Sequence, residues 1–97
     1  MSEFVVTNNE AKKRYETTID GKVAFLEYMS AGKNIVLSHT EVPAELEGQG
    51  IGGQLVKHVL DTIESQNQKV IVTCPFVLGY MQRHPEYRKL VFGYNPK

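Results

Sequence analysis

The sequence predicts an α/β (α+β) fold: a mixed sheet that begins as an antiparallel meander and closes with a strand–helix–strand unit. Three observations predict it. Residues 13–42 hold three extended segments separated by turn signals. Leu55, Val56, Val59, Leu60 and Ile63 then recur at helical spacing and give a helix one apolar face. After the polar break Asn67-Gln68-Lys69 comes a β-branched run over residues 70–73, the composition of a buried strand. A strand, a crossover helix and a second strand normally pair in parallel with a right-handed connection.

In chain order, Phe4-Val5-Val6 reads as a short first strand and Asn8-Asn9-Glu10 as a turn. Residues 13–19 alternate, with Tyr15, Thr17 and Ile19 on one face and Arg14, Glu16 and Thr18 on the wetter one. Asp20-Gly21 is a two-residue hairpin signal. The return strand, residues 22–30, has apolar side chains on both faces, which predicts a central strand covered on both sides. Residues 31–34 turn the chain into a strand over 34–42, which Pro43 ends because it has no amide proton and holds Val42 extended. Pro75 opens a second helix carrying Phe76, Val77, Tyr80 and Met81, ending near His84 before Pro85. Residues 85–89 add a short turn, and Leu90-Val91-Phe92 form an edge strand or a docked tail.

At 97 residues the chain suits one domain. Eleven basic and eleven acidic residues cancel, so no positive field recommends nucleic acid as a partner. No apolar run approaches the roughly 20 residues needed to cross a membrane. The N-terminal residues show no signal-peptide pattern, so a cytoplasmic protein is the expectation. Cys74 is the single cysteine and cannot form an internal disulfide. No Cys/His cluster has zinc spacing, so no metal site is expected. Oligomeric state leaves no mark in the sequence.

The chemistry concentrates before the first helix, where Gly48, Gly50, Gly52 and Gly53 stand without a Ser, Thr, Asp or Asn at the capping position. The first amides of a helix lack internal partners and carry partial positive charge. Uncapped and approached through glycines, they make an anion site suited to phosphate or pyrophosphate. The competing reading is that the glycines serve a tight turn and a close helix-to-sheet contact.

Glu47-Gly48-Gln49-Gly50-Ile51-Gly52 resembles the Gln/Arg-x-x-Gly-x-Gly/Ala motif of the GNAT superfamily of acyl-CoA-dependent N-acetyltransferases. Arg14-Tyr15-Glu16-Thr17, residues 24–28, His39-Thr40-Glu41-Val42-Pro43, Cys74-Pro75-Phe76 and His84-Pro85-Glu86-Tyr87 are similar to its minimal, single-domain (YjdJ-type) branch. Together these pieces cover about residues 9–91. The resemblance implies an acetyl-CoA-dependent transfer to an amine acceptor. It implies that Gly48, Gln49, Gly50, Ile51, Gly52 and Gly53 hold the coenzyme A pyrophosphate, that Thr40, Glu41 and Val42 line the pantetheine arm, and that the two parallel strands splay around it. Glu47 departs from the motif, and an acid beside a pyrophosphate repels it unless it points away. Typical members have two helices between the first strands. Here only residues 8–12 are available, which implies an open acceptor side suited to a bulky acceptor or to a partner subunit.

Acetyl transfer needs a base to deprotonate the amine and a donor for the thioester oxygen, with much of the rate coming from orientation. Cys74 lies between strand and helix, where a helix N-terminus favours a thiolate. It reads as a nucleophile, as a neighbour of the coenzyme A sulfur, or as an inert core thiol. His39 is the candidate base, expected on the strand face that carries Leu37 and Glu41, with Glu41 and Glu27 as substitutes. By the resemblance Tyr80 protonates the departing thiolate; alternatively it packs its helix onto the sheet. Arg83, His84, Arg88 and Lys89 form a basic cluster for the 3′-phosphate or a solvated surface. Two other functions fit these residues: an acyl-CoA-binding or interaction module with little turnover, and mixed-disulfide chemistry between Cys74 and coenzyme A.

Overall fold

The structure, a computed structural model, describes residues 5–94. Five strands form one sheet in the order β1-β2-β3-β4-β5: β1 (Thr7–Asn9), β2 (Arg14–Ile19), β3 (Lys22–Ala31), β4 (Asn34–Glu41) and β5 (Lys69–Val72). The first four are antiparallel in sequence, and β5 pairs with β4 in parallel, as the crossover rule requires. Helix α1 (Ile51–Ser65) makes that crossover, and α2 (Pro75–Arg83) follows β5. Two 3₁₀ turns, Ala44–Leu46 and Pro85–Leu90, complete the described chain. None of the described helices is long and apolar enough to cross a membrane.

The core lies between the sheet and α1. Leu55, Val56, Val59, Leu60 and Ile63 are all buried, which bears out the helical spacing. They meet Tyr15 and Thr17 of β2, Ala24, Leu26 and Tyr28 of β3, Ile35 and Leu37 of β4, and Val70 of β5. Beside α1, α2 and the C-terminal turn dock through Val77, Tyr80, Met81, Tyr87 and Leu90. Tyr87 donates to Asp61 Oδ1 (2.7 Å), and Lys57 donates to the other oxygen (2.8 Å). Burial alone would raise the Asp61 carboxyl, but these two hydrogen bonds outweigh it and hold the group below the usual range.

Two expectations change, and one open alternative closes. The first strand is Thr7–Asn9, across the predicted turn. Its Asn8 accepts a hydrogen bond from the Tyr28 hydroxyl (2.6 Å), and the turn moves to residues 10–13, with Lys13 left-handed at φ 56°. Val5 and Val6 precede that strand, and Phe4 lies outside the described residues. Strand β3 is central but covered on one face only. Its outer residues Val23 and Phe25 are half-buried, and Met29 is 55% exposed. The Arg14 guanidinium, 4.4 Å from the ring centre, lies over Phe25 in place of a helix. At the C-terminus Val91 forms a single parallel bridge to Val70, so the segment is a docked tail.

Candidate functional site

Strands β4 and β5 pair over four residues and then part. The register runs from Asn34 opposite Lys69 to Leu37 opposite Val72, and the last contact is Thr73 N–H to the Leu37 carbonyl (3.1 Å). Pro75 occupies the first turn of α2, so the chain leaves the sheet there. Strand β4 continues to Glu41, held by β3 alone.

A β-bulge sits where the strands part. Tyr28 faces Leu37 and Glu27 faces His39, which leaves Ser38 as an extra residue whose hydroxyl donates to the Glu27 carbonyl (3.3 Å). One inserted residue reverses the alternation of everything after it. Thr40 therefore sits with Leu26 on the helix side, and His39 and Glu41 sit with Glu27 and Phe25 on the open face. This corrects the expectation that His39 shares a face with Leu37. The His39 ring is 6.0 Å from that of Phe25, and its Nε2 is 3.0 Å from Glu41 Oε1.

The parting opens a cleft of about 630 Å³. Its β4 wall is His39, Thr40, Glu41 and Val42. The opposite wall is the loop and first turn of α1: Leu46, Glu47, Gly48, Gly50, Ile51, Gly52 and Gly53. From α2 come Phe76 and Arg83. Gln49 is absent from the lining and points its amide at the Glu45 carbonyl (3.4 Å).

Gly50 caps α1 in the left-handed region (φ 76°, ψ 11°) with no side-chain cap, as the sequence implied. The first intrahelical bond is Gln54 N–H to Gly50 C=O (3.1 Å), so the amides of Ile51, Gly52 and Gly53 precede the ladder. Gly52 has a second task. A Cβ on Gly52 would lie 2.6 Å from Phe76 Cζ, and one on Gly53 would lie 3.6 Å from Tyr80 Cε1. The left-handed turn falls at Gly48 and Gly50 (φ 82° and 76°), and the close approach falls at Gly52, against the helix α2 and not against the sheet.

The other named side chains do not all converge. Cys74 is the residue before α2 and is 3% exposed; it does not line the cleft. Its Sγ is 3.4 Å from Thr40 Oγ1, so the bulge brings Thr40, and not His39, against the thiol. Tyr80 is buried against Gly53, stacked on His84 with centroids 4.2 Å apart, and burial raises its phenol above the usual value. The basic cluster disperses. Lys89 pairs with Glu64 (2.8 Å), His84 lies 3.6 Å from Glu86, and Arg88 lines a separate groove with Val72 and Leu78. Only Arg83 of the four reaches the cleft. Leu46 and Phe76 were missed as cleft residues. Their signals were a lone apolar residue in a polar loop and an aromatic one position after the helix-opening proline.

Comparisons agree with this geometry. A family model described as GCN5-related N-acetyl-transferase matches residues 14–90. Protein NATD1 of Mus musculus is 32% identical over 83 residues, spanning 82% of this chain and 76% of that protein. The Homo sapiens form is 32% identical over 83 residues, spanning 82% and 74%. The NMR solution structure of a GCN5-like protein from Staphylococcus aureus superposes with a TM-score of 0.74 at 26% identity, covering 99% of this chain and 95% of that one.

Proposed function

This chain belongs to the GCN5-related N-acetyltransferase family, and on that footing we propose that it binds acetyl-coenzyme A in the cleft and transfers the acetyl group to an amine. One observation carries the reading: a half-paired strand end and an uncapped helix N-terminus line the same cleft. The donor–acceptor groups on the free edge of residues 38–41 suit the amide-containing pantetheine arm. The amides around Gly50 suit the pyrophosphate.

When bound, the cofactor supplies an activated thioester. The chain supplies position and proton handling. His39 stands on the open face, where an amine arrives without crossing the core. With Nε2–H donating to Glu41, Nδ1 is the lone pair that takes the proton from the amine. Tyr80, beside Gly53 and just behind the cleft lining, is protonated at neutral pH as any phenol is, and it is the acid for the leaving thiolate. Cys74, buried and with its thiol hydrogen-bonded only to Thr40 among the described residues, is a neighbour of the reacting centre in this scheme, and transfer is direct.

The test is acetyl-CoA turnover on a panel of amines with intact-mass analysis of the enzyme. Direct transfer predicts a Cys74→Ala enzyme within a few-fold of the parent and no acetylated protein during turnover. An accumulating acetyl-cysteine would overturn the direct route. Gly50→Asp should abolish binding, because a side chain and a negative charge enter the phosphate site. Gly21→Asp, in a turn with the same left-handed backbone (φ 77°), controls for strain alone.

A further inference from the structure

We propose that Arg83, carried by α2, is a pyrophosphate-binding residue, clamping from outside the anion that the α1 amides hold from inside. The inference rests on the coenzyme A reading above and assigns to that site a charged side chain from a different element.

Helix α2 turns one stripe toward the glycine turn. Phe76 lies against Gly52, Tyr80 lies against Gly53, and Arg83 follows at the same helical spacing. Side chains on a helix lean toward its N-terminus. Arg83 does so: its Nη1 lies 3.6 Å from where a Gly79 Cβ would stand, so the guanidinium folds back over Gly79 toward the cleft it lines.

Charge makes the residue matter. The cleft is lined by two carboxylates, Glu41 and Glu47. Amide dipoles contribute partial charges only. Among the described lining residues Arg83 carries the one permanent positive charge, and no ion pair or hydrogen bond of its side chain occurs there. Lys57 and Lys89 are committed to Asp61 and Glu64. A guanidinium presents paired donors that match two phosphate oxygens. Arg83 is exposed, so its contribution is screened in part by solvent.

The experiment is calorimetric titration of the full chain with acetyl-CoA and with dephospho-CoA, which keeps the pyrophosphate and lacks the 3′-phosphate. Arg83→Gln should weaken both about tenfold, the size of a partly exposed charge-assisted contact. Arg83→Lys should recover part of the loss. Adding Glu47→Arg to Arg83→Gln should restore part of the affinity, because it returns a positive charge to the same cleft. If the parent binds and Arg83→Gln binds both ligands equally well, the inference is wrong while the coenzyme A reading stands. If only acetyl-CoA weakens, Arg83 meets the 3′-phosphate and the inference is equally overturned. If the parent binds neither ligand, the coenzyme A reading itself fails and takes the inference with it.

Discussion

From Asn34 to Leu37, β4 is bonded to β3 on one side and β5 on the other; from Ser38 to Glu41 it is bonded to β3 alone. In the first half Leu37 is fully buried and Ile35 is 9% exposed. In the second, the side chains of His39 and Glu41 are 53% and 61% exposed. One strand thus does two jobs, divided by a single inserted residue. The fully paired half holds the sheet to α1. The half-paired half keeps backbone groups free for a ligand and turns its titratable side chains to the open face.

Mutations should separate the halves. The largest effect on stability is expected from Leu37→Ala, which empties the centre of the core and should cost about 2–5 kcal/mol in urea unfolding. A loss below about 1 kcal/mol would place the core elsewhere. In the other half, His39→Gln should lower turnover by about 100-fold while moving unfolding free energy by less than about 0.5 kcal/mol. Unchanged turnover would remove His39 from the mechanism. Thr40→Val keeps the shape and deletes the hydroxyl facing Cys74, and should cost no more than about 1 kcal/mol.

The smallest effect is in acid. Hydrogen bonding to Arg14 holds the Glu16 carboxyl below its ordinary 4.5. Asp61 lies below its ordinary 3.8 because two hydrogen bonds outweigh burial. A depressed folded value means that the unfolded chain takes up protons first. The stability these groups give is complete above the ordinary values and is lost as pH falls through the folded ones. Glu16→Gln, outside the site, should flatten the acid limb slightly without changing turnover at neutral pH. An unchanged limb would mean that the Arg14 contact contributes nothing.

Much of this was legible in the residues themselves. The apolar spacing from Leu55 to Ile63 specified α1 and its buried face. The missing cap before Ile51 specified the uncapped turn. Pro43 and Pro75 marked where the strands β4 and β5 themselves end. The bulge was not legible, because Ile35 to Thr40 reads as unbroken strand and a one-residue slip leaves composition unchanged. Nor was the one-sided cover of β3. Phe25 on the outer face suggested a second layer, but an arginine guanidinium and a histidine ring from neighbouring strands lie against it. The basic cluster was adjacent in sequence only; the helix end and the 3₁₀ turn aim its members in different directions.

The central claim is that the half-paired end of β4 and the first turn of α1 together hold coenzyme A. Backbone amide NMR of the 11.0 kDa chain during titration with acetyl-CoA tests it most directly. The account expects saturable shifts at residues 40–42 and 48–53, with residues 34–37 of the same strand nearly still, and no such pattern with adenosine. Absence of saturable shifts at millimolar acetyl-CoA, or shifts centred outside the cleft, would contradict it.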